Sequence, residues 1–156
     1  MFELSKIDRL DQLTDDVAAR QSKLILLIGA SGAHKSAMLA ALSERRSATV
    51  LNVGLELGTR LNALPMKTRG LAVPGLMREL SNSYASNGLL LVDNIEVLFD
   101  RNLMLSALNF LKQVSSVLRV VAVWPGEFRA GRLIYADFGH PEHLDCGTEG
   151  IVLFQI

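Results

Sequence analysis

The chain has few cysteines, no excess of charge and no long hydrophobic run, and each shortage excludes a class of protein. It holds one cysteine, Cys146, among 156 residues, so no disulfide can form within it and a reducing compartment is the expected setting. Strongly apolar runs such as 24–28 and 89–92 are far shorter than the roughly 18 residues that a membrane-spanning helix needs. The opening MFELSKIDRLDQ lacks both an uninterrupted apolar stretch and a small-residue cleavage site. We therefore expect a cytoplasmic protein without a secretory signal or membrane segment.

The net charge is zero, with 16 Lys and Arg against 16 Asp and Glu, which gives no bulk attraction to nucleic acid or to an anionic membrane. Hydrophobic residues make up 49% and charged residues 21% of the chain, as in an ordinary globular domain rather than a disordered one. Basic residues outnumber acidic ones between 35 and 78, which suits either phosphates or a solvated face. The length predicts a single domain, 1–156, with 1–20 as an N-terminal helical extension packed on it.

Short apolar runs alternate with segments of helical spacing along most of the chain. The runs are 23–28, 48–53, 89–92, 118–124 and 151–154, and each is typical of a strand buried on both faces of a parallel sheet. Helical spacing occurs at 4–17, 35–46 and 103–117. Strands that alternate with helices form βαβ units. The sequence therefore predicts an α/β fold with a mostly parallel sheet of about five strands flanked by helices in three layers.

Two stretches are harder to assign. In 55–86, Pro65 and Pro74 are expected to interrupt two helical patches, because proline ends or kinks a helix. The stretch 128–150 is rich in turn residues, and within it we expect at most one strand, 132–136.

The strongest chemical signal lies between the first predicted strand and the first strand-linking helix. The segment Gly29-Ala-Ser-Gly-Ala-His-Lys-Ser36 is similar to the Walker A motif G-x-x-x-x-G-K-[ST] in its required strand-loop-helix context, which predicts a P-loop NTPase-like domain. In this motif backbone N–H groups and the helix N-terminus hold phosphate, the lysine reaches the β and γ phosphates, and the hydroxyl joins the Mg²⁺ shell. The predicted nucleotide-binding residues are Gly29, Gly32, Ala33, His34, Lys35, Ser36 and Ala37.

His34 stands where the motif has glycine. That glycine commonly takes a positive φ, and histidine is one of the few side chains enriched there. Three interpretations are possible: the loop accommodates the His34 imidazole, the imidazole contacts a phosphate, or it crowds the pocket and weakens nucleotide binding.

An acidic residue at the end of an apolar strand completes such a site. Asp93, after Leu89–Val92, resembles Walker B, so Ser36 and Asp93 are the predicted Mg²⁺ residues. The next residue is Asn94, an amide that cannot accept a proton as a general base, so Glu96 and Glu56 are the candidate catalytic carboxylates. Because the chain has no N-K-x-D guanine-reading motif, ATP is a better prediction than GTP.

Three further stretches, together with the loop, resemble one family. They are LNVGLEL at 51–57, VDNIEVLFD at 92–100 and IYADFGHPEH at 134–143, and the family is BrxF, the small P-loop proteins of type III bacteriophage exclusion (BREX) defence systems. Members typically read G-x-x-G-x-G-K-[ST], from which His34 departs. The resemblance implies a cytoplasmic ATP-binding component that works beside a methyltransferase, a larger ATPase, a helicase and a phosphatase-like protein.

The resemblance does not fix the oligomeric state or the partners, and several alternative functions are possible. In P-loop ATPases an arginine from a neighbouring subunit often completes the site, so a homo-oligomer or a complex with other BREX proteins is expected. The candidate arginines, which follow the second motif, are Arg101, Arg119, Arg129 and Arg132. Contact with nucleic acid is expected only through partners. The alternatives are a catalytically degenerate scaffold that recruits a larger partner without turning over nucleotide, a small-molecule kinase, and a DNA-binding protein.

Overall fold

The computed structural model describes residues 2–29, 32–100, 103, 106–136 and 143–156. The α-helices are α1 (Phe2–Asp16), α2 (Gly32–Arg46), α3 (Val53–Asn62), α4 (Arg69–Tyr84) and α5 (Ala107–Val114). The strands are β1 (Leu24–Ile28), β2 (Val50–Asn52), β3 (Leu89–Asp93), β4 (Arg119–Val123), β5 (Glu127–Arg129), β6 (Arg132–Tyr135), β7 (Leu144–Cys146) and β8 (Val152–Gln155). Among the described helices, none combines the length and the hydropathy that crossing a membrane requires.

Five of the strands form one parallel sheet. Their spatial order is β2-β3-β4-β1-β8, and every neighbouring pair runs parallel. The strand that carries the phosphate-loop sequence at its end, β1, is therefore separated by β4 from the strand that ends in Asp93, β3. The predicted α/β class, with a five-stranded and mostly parallel sheet flanked by helices, is confirmed.

Helices cover both faces of this sheet, because successive side chains of a buried strand point to opposite faces. Ile25 and Leu27 pack in one apolar cluster with the buried side chains of α1 and α2. Leu24 and Leu26 pack in the other with α3, α4 and α5. The interior positions of these strands are consequently apolar, and polar side chains stand only at strand ends, where chemistry can occur.

The N-terminal helix is attached to α2 by apolar and ionic contacts. Leu10 is fully buried against α2 and the sheet. The Arg46 guanidinium donates to Asp11 Oδ1 at 2.6 Å and to Asp15 Oδ1 at 3.0 Å. These hydrogen bonds hold the pKa of the Asp15 carboxyl below its usual value and raise that of Arg46. The segment predicted as an N-terminal extension thus packs against α2, the helix that follows the predicted phosphate loop.

The expectation that Pro74 interrupts a helix is wrong. Pro74 lies inside α4, which continues from Arg69 to Tyr84. A proline there removes one backbone hydrogen bond, yet Val73, Met77 and Leu80 of the same helix are buried in the core. Tertiary packing of this apolar face outweighs the local preference of proline. Pro65, by contrast, lies in the connection between α3 and α4.

A second, antiparallel sheet was only partly predicted. The expected strand 132–136 is β6, and it pairs with β5 on one side and β7 on the other, neither of which the sequence indicated. One face of this small sheet carries Phe128, Leu133 and Tyr135, which pack against the main core. The opposite face carries charged residues, beginning with Glu127 and Arg129.

The hairpin between β5 and β6 turns at Ala130 and Gly131, which have φ values of 52° and 76°. Two consecutive positive φ values in a two-residue loop are typical of a type I′ turn, whose twist matches that of the flanking strands. Asparagine and glycine are favoured in such turns, whereas alanine in the left-handed region is strained.

We expect Ala130→Asn to stabilise the protein by about 0.5–1 kcal/mol, since asparagine tolerates the left-handed conformation better than alanine. At this chain length the change corresponds to a rise in Tm of roughly 1–4 °C, which a thermal melt measures. The matched control is Ala41→Asn on the exposed surface of α2, where the same substitution should lower Tm through loss of helix propensity. A decrease in Tm for both variants would contradict the assignment of the turn.

Candidate functional site

A cavity of about 460 Å³ opens at the carboxyl end of the main sheet. It is lined by the start of α2, the ends of β3 and β4, the turn after β3 and the charged face of the small sheet; the lining residues are Lys35, Ser36, Asp93, Asn94, Glu96, Val123, Trp124, Pro125, Gly126, Glu127, Arg129, Ile134 and Ala136. In open parallel α/β sheets, ligands bind in the crevice outside the carboxyl ends of the strands. The sheet order brings Lys35 and Asp93, which are 58 positions apart in the sequence, to this one edge.

Lys35 is the buried cation of the cavity, with only 3% of its surface exposed. Its ammonium group donates to the carbonyl oxygen of Trp124 at 2.6 Å and to that of Gly126 at 3.5 Å. Burial lowers the pKa of Lys35, and the nearby carboxylates of Asp93 and Glu96 partly offset this effect. Among the described residues its hydrogen-bond partners are these two neutral carbonyl groups, and an anionic ligand would stabilise its charge further.

Ser36 and Asp93 are in direct contact. The Ser36 hydroxyl donates to Asp93 Oδ2 at 2.7 Å, while Asp93 Oδ1 accepts from the backbone N–H of Asn94 at 2.8 Å. A hydroxyl and a carboxylate oxygen side by side are the hard oxygen ligands that Mg²⁺ prefers. Among the described residues there is no cluster of three or more His, Cys, Asp or Glu that would hold a metal without further ligands. The pair therefore fits Mg²⁺ bound partly by protein and partly by water and phosphate, which is how this ion usually binds.

The predicted phosphate loop runs from the end of β1 into the first turns of α2. Gly29 directly follows β1, and α2 begins at Gly32, so that Lys35, Ser36 and Ala37 belong to the first turns of that helix. Ala30 and Ser31 lie outside the described residues. The N-terminus of α2, with the partial positive charge of its helix dipole, thus lies a few residues after β1, as anion binding at a helix N-terminus requires.

The positive φ considered for His34 is not found. His34 is a helical residue of α2 and is not among the residues with positive φ. The physical reason is that the helix starts at Gly32, two residues earlier, so position 34 already has helical φ. The side chain is exposed and does not line the cavity, so His34 neither strains the loop nor fills the pocket.

The two candidate catalytic carboxylates have different surroundings. Glu96 lines the cavity and acts electrostatically on Lys35. Glu56 lies in the first turn of α3, pairs with Arg60 at 2.9 Å and is not a lining residue. Asn94 has φ 54° and ψ 54°, a left-handed conformation that asparagine tolerates, and this turn directs the chain from β3 to Glu96.

The sequence did not predict that the carbonyl groups of Trp124 and Gly126 bind the Lys35 ammonium. The Trp124 side chain is fully buried, packs edge-on against Phe99, and donates to the carbonyl oxygens of Glu127 and Ile134. Its carbonyl group, rather than its ring, points to the site. A Cβ on Gly126 would collide with the carbonyl oxygen of Ile134, so only glycine allows this close approach. In the sequence, Pro125 and Gly126 indicate only that the chain turns after the apolar strand.

The four arginines after the second motif are placed very differently. Arg119 donates to the backbone oxygens of Thr14 and Asn87, and Arg132 pairs with Asp145. Arg129 lines the cavity. Arg101 lies outside the described residues. Only Arg129, of the three described, is in a position to contact a ligand in the cavity of its own chain.

The charges that line the cavity do not suit a bare anion. Two cations, Lys35 and Arg129, face the carboxylates of Asp93, Glu96 and Glu127, so two positive charges against three negative ones leave the described lining at −1. Such a lining repels a free polyanion, but it accepts a polyanion that carries a divalent cation.

Neither a family model nor a curated protein matches this chain.

We expect Lys35→Met to change how stability depends on pH. The folded-state pKa of Lys35 is lowered, so the unfolded chain keeps this proton to higher pH than the folded one. Stability contributed by this group therefore rises as the pH increases through the interval that ends near the ordinary lysine value of about 10.4. Urea unfolding of both proteins between pH 7 and 10 should show the wild type gaining stability relative to the variant.

The variant itself serves as the control in this comparison, because every other titrating group is common to both proteins. That includes Cys146, whose pKa is raised by burial and whose effect on stability has the opposite sign over this range. Stability curves that stay parallel up to pH 10 would show that burial does not perturb Lys35.

Proposed function

We propose that the chain is a P-loop NTPase-like domain that binds ATP together with Mg²⁺ in the cavity at the carboxyl end of its sheet. The observation that carries the proposal is the convergence of Lys35, Ser36 and Asp93 in one cavity, beside the N-terminus of α2. Each of the three is the residue type that phosphate and magnesium binding needs at that point of a strand-loop-helix motif. A chance match of the loop sequence does not require a buried lysine and a hydroxyl–carboxylate contact at the same sheet edge.

The chain's own residues would act on the ligand as follows. Lys35 exchanges its carbonyl partners for phosphate oxygens, and its burial strengthens this interaction because little water screens it. Ser36 and Asp93 would hold the metal, which neutralises phosphate charge when bound. The negative lining favours the magnesium complex over free ATP.

If the bound nucleotide is hydrolysed, Glu96 is the carboxylate best placed to orient and deprotonate water. It lines the cavity, whereas Asn94 carries an amide and Glu56 is paired with Arg60 outside the cavity. Adenine rather than guanine is proposed because the guanine-reading motif is lacking.

The biological setting proposed is phage defence. The similarity of four stretches to the BrxF family supports a cytoplasmic ATP-binding component of a type III BREX system that acts with other BREX proteins. The rival proposal is a scaffold of the same fold that does not turn over nucleotide. One observation favours it: the Lys35 ammonium already has protein hydrogen-bond partners in Trp124 and Gly126.

We expect Mg-ATP to raise the Tm of the wild type and not that of Lys35→Met. At about 100 times the dissociation constant, a ligand bound only by the folded state adds roughly 2.7 kcal/mol, or about 5–10 °C here. EDTA should abolish most of the rise, because free ATP meets a negatively charged lining. A thermal melt with each addition measures this.

The matched control is Lys67→Met, which removes an exposed lysine and should keep the full response to Mg-ATP. If neither the wild type nor the control responds, ATP binding is wrong and the scaffold takes its place. An equal response of Lys35→Met would place the nucleotide elsewhere.

We expect Glu96→Gln to lower the rate of ATP hydrolysis about 10²–10⁴-fold, the usual contribution of a general base, with little loss of ATP affinity. Glu56→Gln, the control, should leave the rate unchanged because Glu56 does not line the cavity. Phosphate release by the purified protein, with and without its partners, provides the measurement. A larger loss in Glu56→Gln than in Glu96→Gln would reverse the assignment.

A further inference from the structure

We propose that Arg129 supplies, from the same chain, the cation that binds the outermost phosphate, so that the site distinguishes nucleoside triphosphates from diphosphates. This inference rests on the nucleotide-binding function proposed above. It differs from the usual arrangement in oligomeric P-loop ATPases, in which a neighbouring subunit provides the arginine.

The position of Arg129 follows from the strand that carries it. In β5, Phe128 turns to the apolar core, so Glu127 and Arg129 turn to the opposite face. That face forms a wall of the cavity shared with Lys35 and Asp93. Arg129 is thus directed into the site by strand alternation.

Arg129 lies farther along the cavity wall than the carbonyl groups that hold Lys35. The Lys35 ammonium contacts the carbonyl of Gly126, three residues before Arg129, and three residues of strand span about 10 Å. Because Arg129 lines the cavity at that distance, a phosphate chain bound at Lys35 would meet the guanidinium with its part farther from Lys35.

Arg129 is also available for a ligand. Its Nε lies 2.8 Å from Glu127 Oε2, and the two side chains are 67% and 66% exposed, so water screens this ion pair and it contributes little to stability. A phosphate with two free oxygens offers the guanidinium a bidentate partner of higher charge. We therefore expect the Arg129 guanidinium to leave the Glu127 carboxylate and bind phosphate when a nucleotide enters the cavity.

The hairpin that carries Arg129 is held firmly against the main sheet. Gly126 contacts the carbonyl of Ile134 so closely that no side chain fits, and Tyr135 of β6 stacks on Phe99 at 4.2 Å between ring centroids. A binding residue supported in this way keeps its position without the help of a second subunit.

The test compares Arg129→Gln with Arg132→Gln in calorimetric titrations with Mg-ATP and Mg-ADP at 0.15 M salt. We expect Arg129→Gln to weaken Mg-ATP binding at least about tenfold, the loss of one charge-assisted contact, and Mg-ADP binding by no more than about twofold. Arg132 is the matched control, since it lies opposite Arg129 on the same face, pairs with Asp145 and does not line the cavity. Its variant should bind both nucleotides like the wild type.

Two further measurements test whether Glu127 competes with the nucleotide for Arg129 and whether Arg129 comes from the same chain. Glu127→Gln should tighten Mg-ATP binding more in the wild-type background than in Arg129→Gln, because the carboxylate competes for the Arg129 guanidinium as well as adding negative charge to the lining. Mixing Arg129→Gln with Lys35→Met should not restore ATP affinity; restoration would mean that a neighbouring chain supplies Arg129 and would overturn the proposal.

If Arg129→Gln lost equal affinity for Mg-ATP and Mg-ADP, or lost none, the proposed role of Arg129 would also be overturned. A wild type that binds neither nucleotide would instead refute the nucleotide-binding function itself, so the two failures are distinguishable. Because the ion pair is exposed, Arg129→Gln should melt like the wild type, which separates a binding defect from misfolding.

Discussion

The hydrogen bond between the buried ammonium of Lys35 and the carbonyl of Trp124 organises the candidate site. It joins the first turn of α2 to the end of β4, and Trp124 in turn donates its own backbone N–H to Leu27 of β1. A charge buried behind neutral carbonyls is costly, which is why the pKa of Lys35 is lowered. The free protein thus holds a buried cation at the carboxyl edge of the sheet, within a described lining whose formal charge is −1.

The other walls of the cavity complement this cation. Ser36 and Asp93 place two oxygens side by side, and the small sheet presents Glu127 and Arg129. Negative lining, a buried ammonium and a helix N-terminus together favour a polyanion that brings a divalent cation with it. The small sheet matters because its apolar face fixes it on the core while its charged face remains turned to the ligand.

The parts of the structure that depend on local patterns were predictable. Apolar runs of four to seven residues predicted all five strands of the main sheet, because the buried part of such a strand must be apolar on both faces. Glycine, lysine and serine after β1, and an aspartate after β3, marked the site because phosphate and magnesium chemistry needs those side chains there. Pro74 was misjudged, since burial of the apolar face of α4 outweighs the local preference of proline, and the positive φ considered for His34 is not found because α2 already begins at Gly32.

The sequence by itself determined the α/β class, the strands of the main sheet and the identity of the phosphate and magnesium candidates. Only the tertiary structure decided that Glu96 lines the cavity and Glu56 does not, that the Trp124 carbonyl holds Lys35, and that Arg129 faces the site. The physical reason is that a periodic pattern reports which face of an element is buried, whereas the meeting of distant residues depends on strand order and on the close approach of backbones. Strand order here puts β4 between β1 and β3, and no local pattern encodes that.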